Sequence, residues 1–119
     1  MDKSDVVFSQ YIRLRDGQCK RCGLQLEVNS KGLPINLQCS HFKGRIKEAT
    51  RFHPENADAL CNECHLYFTQ HPREHYDWQV KIKGETVVHN IIQIAGSYKK
   101  KNRQAEYELW SAKVKEMIK

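Results

Sequence analysis

The sequence predicts an α+β fold: a small zinc-stapled core with one helix before it and about three helices after it. Three observations carry that prediction. Four of the five cysteines form two Cys-x-x-Cys pairs, Cys19/Cys22 and Cys61/Cys64, far enough apart to enclose a small element. Between the pairs, apolar residues alternate with polar ones around a turn. Outside them, apolar residues recur at helical spacing. A chain of 119 residues suits one domain, 1–119, with its core over 19–70 and a helical extension over 71–119.

Each element has its own local reason. Phe8, Tyr11 and Ile12 share a helical face, Ser4 can cap it and Gly17 can stop it, which predicts a helix over 4–16. Leu24, Leu26 and Val28 alternate as in a strand, Asn29-Ser30-Lys31-Gly32 reads as a turn, and Leu33 to Phe42 can return as a second strand. Residues 43–57 lack periodicity and contain Gly44 and Pro54, so they read as a loop. A helix is expected from Asp58 to about Gln70, with the second cysteine pair in its first turns. Pro72 is placed to open another helix. Val87, Val88, Ile91, Ile92 and Ala95 make a further apolar face, and Tyr107, Trp110, Val114 and Met117 a final one. Trp78 and Trp110 fit such faces and are expected in the core.

The cysteine pairs are the most specific chemical signal. A two-residue spacer lets both thiolates of a knuckle face one ion, and two knuckles complete a four-cysteine zinc site. Disulfides fit less well, because one cysteine is left over and MDKSDVVFSQ has no apolar stretch of a secretory signal. The fifth, Cys39, reads as a small buried apolar residue. No apolar run reaches the roughly 20 residues of a membrane span, so no membrane association and a cytoplasmic location are expected. The net charge is +6 with a mean hydropathy of −0.74. Both halves contribute equally, so the excess is not a detachable tail. A basic surface of this kind favours a polyanionic partner such as nucleic acid.

The stretch between the knuckles holds the remaining chemistry. Cys39-Ser-His-Phe-Lys-Gly-Arg45 is followed by Arg51-Phe-His-Pro-Glu-Asn56 and Ala59-Leu-Cys-Asn-Glu-Cys-His65. His41 thus ends a strand, Asn56 lies in the loop and His65 lies early in a helix, an arrangement that could hold a hydrated divalent metal against a phosphate.

These residues resemble the His-Asn-His motif of the HNH, or ββα-metal, endonuclease superfamily. Cys-x-His-Phe-x-x-Arg, Arg-Phe-x-x-x-Asn and the framing Cys-x-x-Cys pairs are most similar to the phage NinG (Rap) recombination nucleases, over residues 19–78. The resemblance implies a zinc-stapled ββα-metal core and a metal-dependent DNA endonuclease in a phage or prophage context. It implies His41 as general base, since an imidazole titrates near neutrality. His65 would ligate a catalytic Mg²⁺ or Mn²⁺ ion. Asn56 would either brace the loop that orients His41 or complete the metal shell. Arg45 and Arg51 could clamp phosphate oxygens, with Lys43 and Lys47 adding weaker attraction.

Ser40 stands where many HNH enzymes carry a metal ligand, and the third motif position is His65 where many NinG-like chains carry Asn. His53 is therefore the candidate second ligand, unless His65, water and substrate phosphate suffice. The implied partner is DNA, including branched or four-way junctions, on which a homodimer would make paired cuts. The alternative is a non-catalytic zinc-finger module that binds nucleic acid, or an interaction protein whose zinc only replaces a small core.

Overall fold

The computed structural model describes residues 2–118, which form five α-helices, two 3₁₀ turns and a two-stranded sheet. The first helix, α1 (Lys3–Asp16), opens on Asp2, whose carboxylate accepts the Asp5 N–H at 3.0 Å. Ser4, expected as the cap, lies inside the helix and donates its hydroxyl to Asp2. Gly17 closes α1 in the left-handed region at φ 67°, its N–H reaching the Arg13 carbonyl at 2.9 Å; a side chain there would be strained.

The expected hairpin over residues 24–42 is mostly irregular. It holds two isolated bridges, Gln18 with Gln25 and Val28 with Pro34, and no extended ladder. Side-chain amides replace the ladder. Asn29 Oδ1 accepts from the N–H groups of Lys31 and Leu33, and Asn36 bonds the Glu27 N–H and the Gln25 carbonyl. Leu37 then adopts φ 65°, which ends any extended run before it. The strand β1 therefore covers only Gln38–His41.

The second strand, β2 (Ala57–Leu60), runs antiparallel to β1 and pairs Ser40 with Asp58 and His41 with Ala57. This corrects the sequence expectation of a helix beginning at Asp58. The segment is wholly buried, and its outer edge is satisfied from α1 and the first knuckle. Arg15 donates to the Ala57 carbonyl at 2.8 Å, Asp16 accepts the Ala59 N–H at 2.8 Å, and the Lys20 N–H reaches the Ala59 carbonyl at 2.9 Å. With partners on both edges, the strand outcompetes the local helical pattern. The helix α2 (Asn62–Gln70) starts after Cys61, whose sulfur accepts the Cys64 N–H.

The connection from β1 to β2 holds the 3₁₀ turns Glu48–Thr50 and Pro54–Asn56. Pro72 opens α3 (Pro72–Lys83), Gly84 turns the chain, and α4 (Glu85–Ala95) buries Val88, Ile91 and Ala95. Asn102 caps α5 (Arg103–Met117), which buries Trp110 and Val114 and leaves Met117 exposed.

One apolar cluster joins Phe8 and Ile12 of α1 to Phe52, Ala57 and Trp110, with the Phe8 and Trp110 rings edge-on at 4.9 Å. A second joins the cysteine cage to Leu60 and Phe68, with half-buried Trp78 against it. Among the described residues, no helix is long and apolar enough to cross a membrane.

Candidate functional site

The cage comes from two chain reversals brought together by β2. Ligand atoms of Cys19, Cys22, Cys61 and Cys64 all lie within 4.8 Å of one another, and none is in a disulfide. The Cys22 and Cys61 sulfurs are 3.7 Å apart. Tetrahedral zinc at about 2.3 Å from each sulfur sets an edge of about 3.8 Å, so the donor set fits zinc. Each knuckle also folds an N–H onto its first sulfur: Cys22 onto Cys19 and Cys64 onto Cys61, both at 3.4 Å. Arg21 reaches the Cys64 sulfur at 3.6 Å and lies over the Tyr67 ring, so a cation backs the thiolates.

Beside the cage, His41 and His65 line one cavity of about 520 Å³, walled also by Asp5, Arg13, Gly44 and Arg45. His41 ends β1 and its Nε2 lies 3.0 Å from the Arg51 carbonyl. A carbonyl only accepts, so Nε2 carries the proton and Nδ1 keeps a lone pair. Burial pushes the His41 pKa below its ordinary value, against a smaller upward pull from that carbonyl. The ring is thus neutral at pH 7. His65 is half-buried on α2, and burial lowers its pKa too. Among the described residues its ring has no hydrogen-bond partner, which suits a single-point metal ligand.

Asn56 is 0% exposed, and both ends of its amide are hydrogen-bonded to backbone. Oδ1 accepts the Lys43 N–H at 2.8 Å, while Nδ2 donates to the carbonyls of Lys43 at 2.9 Å and Thr50 at 3.1 Å. It braces the loop after His41 and does not line the cavity. Two other expected site residues are engaged elsewhere. His53 does not line the cavity; its Nδ1 accepts the Glu55 N–H and caps the second 3₁₀ turn. Arg51 does not face solvent as a phosphate clamp. Its guanidinium grips the buried Asp5, with Nε at 2.8 Å from Oδ1, and Glu48 lies 3.8 Å away.

Arg45 lines the cavity, and neither it nor Lys43 nor Lys47 joins an ion pair among the described residues. Ser40 is buried opposite Asp58, away from the cavity lining. Among the described residues, the cysteine cage is the one group of three or more His, Cys, Asp or Glu donors close enough to share an ion. A second ion would therefore rest on His65 with water and substrate oxygens. Cys39, expected to be buried, is half-buried and lines the same cavity; desolvation pushes its thiol up to about 12.

Sequence reasoning missed two features. Asp5 reaches the cavity from α1, many residues away from Arg51 in the chain, and no local pattern announces that pair. Behind the sheet, Asp58 accepts from Lys83 at 2.9 Å and Gln79 at 2.8 Å, and Gln79 Nε2 lies 3.2 Å from His75 Nε2. Since the amide donates, the His75 ring is neutral, and burial pushes its pKa down to about 4. No protein-family model, curated protein or solved structure matches this chain.

Proposed function

We propose that this chain is a metal-dependent DNA endonuclease of the HNH type. One observation carries the reading. His41, its Nε2 proton tied to a backbone carbonyl, and His65, its ring unpartnered among the described residues, open onto one cavity beside exposed cations. Those are the parts a phosphodiester hydrolase needs: a base for water, a metal ligand and phosphate attraction.

In this mechanism His41 Nδ1 takes a proton from a water, which attacks phosphorus in line with the departing 3′ oxygen. His65 would hold a Mg²⁺ or Mn²⁺ ion, whose charge neutralises the scissile phosphate and the leaving group. Arg45 attracts the flanking phosphates. Asn56 holds Lys43, two residues past His41, and so fixes where the base can reach. Asp5 holds Arg51, whose carbonyl sets the His41 tautomer. The zinc cage keeps α2, and with it His65, against β1 and β2. Reduced cysteines suit a reducing compartment, so the reading places the chain in the cytoplasm. Four-way junctions are the proposed branched substrate, and a homodimer the assembly for paired cuts.

The test is cleavage of supercoiled plasmid and a four-way junction by the zinc-loaded protein, with Mg²⁺, with Mn²⁺ and with neither. Expected is divalent-dependent cutting that His65→Ala shifts to higher metal concentration. DNA binding without cutting under any of these ions would overturn the nuclease and leave a zinc-stapled binding module.

A further inference from the structure

The loop after His41 carries a feature that hydrolysis does not use. Gly44, Arg45, Ile46 and Lys47 form a turn closed by the Lys47 N–H on the Gly44 carbonyl at 2.9 Å. Arg45 and Ile46 are its tip. Ile46 is 92% exposed. A β-branched apolar residue at a turn tip contradicts ordinary turn chemistry, which favours glycine, asparagine or aspartate there. Such local violations concentrate at functional sites.

The turn is also held rigidly from below. On its N-terminal side, Asn56 grips both the N–H and the carbonyl of Lys43. On its C-terminal side, the Thr50 N–H and hydroxyl both reach the Lys47 carbonyl at 3.2 Å. Asn56 and Thr50 are fully buried. The isoleucine is therefore presented on an anchored support, not on a wandering loop. Gly44 and Arg45 wall the cavity that holds His41 and His65, and Ile46 is the next residue. Its neighbours Arg45 and Lys47, with Lys43, are cations outside any ion pair of the described residues.

The same connection is tied to a second basic segment through one ion pair. Arg103 is clamped to Glu48, one residue past Lys47, at 2.7 Å, and Lys99, Lys100 and Lys101 lead into it. Lys101 is two residues from Arg103, so its Cα lies within about 7 Å of that of Arg103. An apolar point thus stands among cations at the mouth of the candidate site. That combination suits neither a protein core contact nor a membrane, where a wider apolar face is needed. It suits a side chain inserted between stacked bases while the cations hold the phosphates on either side.

We infer that Ile46 is a wedge that enters a base step of duplex DNA, kinking it so that the scissile phosphate settles into the His41–His65 cavity. The inference rests on the nucleic-acid reading above and adds to it a preference for duplex steps that unstack easily, such as pyrimidine–purine steps.

The experiment uses the zinc-loaded full chain without added Mg²⁺ or Mn²⁺, so that binding is read without cutting. Its probes are duplexes in which 2-aminopurine, bright when unstacked, replaces adenine at successive positions. The protein should raise fluorescence at one position or a neighbouring pair, and end-to-end energy transfer should report a kink of about 20–90°. Ile46→Ala should melt like the parent, bind about tenfold more weakly and lose both signals. Ile82→Ala, which trims an exposed isoleucine on α3, should keep both. Binding with no fluorescence rise at any position, or an unchanged rise with Ile46→Ala, overturns the wedge and leaves the nuclease standing. No binding to duplex DNA, or preference for single-stranded RNA, overturns the wedge together with the DNA reading.

Discussion

Asn56→Ala separates the two roles that an amide in this motif could play. The side chain makes three hydrogen bonds to backbone, to the Lys43 N–H and to the carbonyls of Lys43 and Thr50. At about 1 kcal/mol each, their loss costs about 3 kcal/mol, before any cost of the void. For a domain of this size each kcal/mol lowers Tm by about 4 °C, so the variant should melt about 12 °C below the parent. Thermal unfolding of both zinc-loaded proteins, followed by circular dichroism at matched concentration, gives the number. A metal ligand would behave otherwise: Tm would hold while the divalent requirement for cleavage rose. A fall in Tm smaller than about 4 °C, equivalent to one hydrogen bond, would refute the brace.

Further predictions follow from the same geometry. Cys61→Ser, or removal of zinc by a strong chelator, should unfold the β2–α2 corner, since the cage substitutes for core there; loss of ellipticity in parallel with zinc content checks it. Asp5→Ala takes its main partner from the partly buried Arg51 guanidinium, which keeps Glu48, and should cost about 1–3 kcal/mol by urea unfolding, while Arg51→Lys should leave the salt dependence of DNA binding unchanged. Arg45→Ala should instead reduce the slope of log K against log salt by about 0.9, measured by fluorescence anisotropy. His75, depressed to about 4, and His41, also depressed, bind fewer protons folded than unfolded. Their contribution to stability is therefore complete above the unfolded value of about 6.5 and is lost at lower pH, that of His75 as pH falls through about 4. Urea midpoints between pH 7 and 4 should fall, and His75→Gln should flatten part of that fall.

The cage was legible because thiolate spacing is a local constraint: two-residue spacers alone predict a shared ion, and the four sulfurs converge. The helices were legible where apolar spacing coincides with burial, as at Phe8 and Ile12 or Val88 and Ile91. The first strand pair was misplaced because its outcome depends on partners distant in sequence. Ala57–Leu60 is extended since Arg15, Asp16 and Lys20 satisfy its outer edge. Residues 24–36 fail to extend since Asn29 and Asn36 capture the backbone locally. His41 and His65 were chosen from sequence order, and they do share a cavity. Arg51 was chosen for its bidentate guanidinium and His53 because Ser40 is a poor metal ligand. The structure turns Arg51 to Asp5 and His53 to its own turn, because a buried carboxylate and an uncapped N–H were nearer demands.

The central claim is that His41 acts as the base that activates water for DNA hydrolysis, and one paired measurement tests it most directly. Wild type and His41→Ala are compared for zinc content and Tm, and then for binding and cutting of the same labelled four-way junction in Mn²⁺. Equal binding is predicted, with a rate for the variant lower by about a factor of 100 or more. Equal cutting by the two proteins would contradict it, as would a variant that loses zinc and fold along with activity.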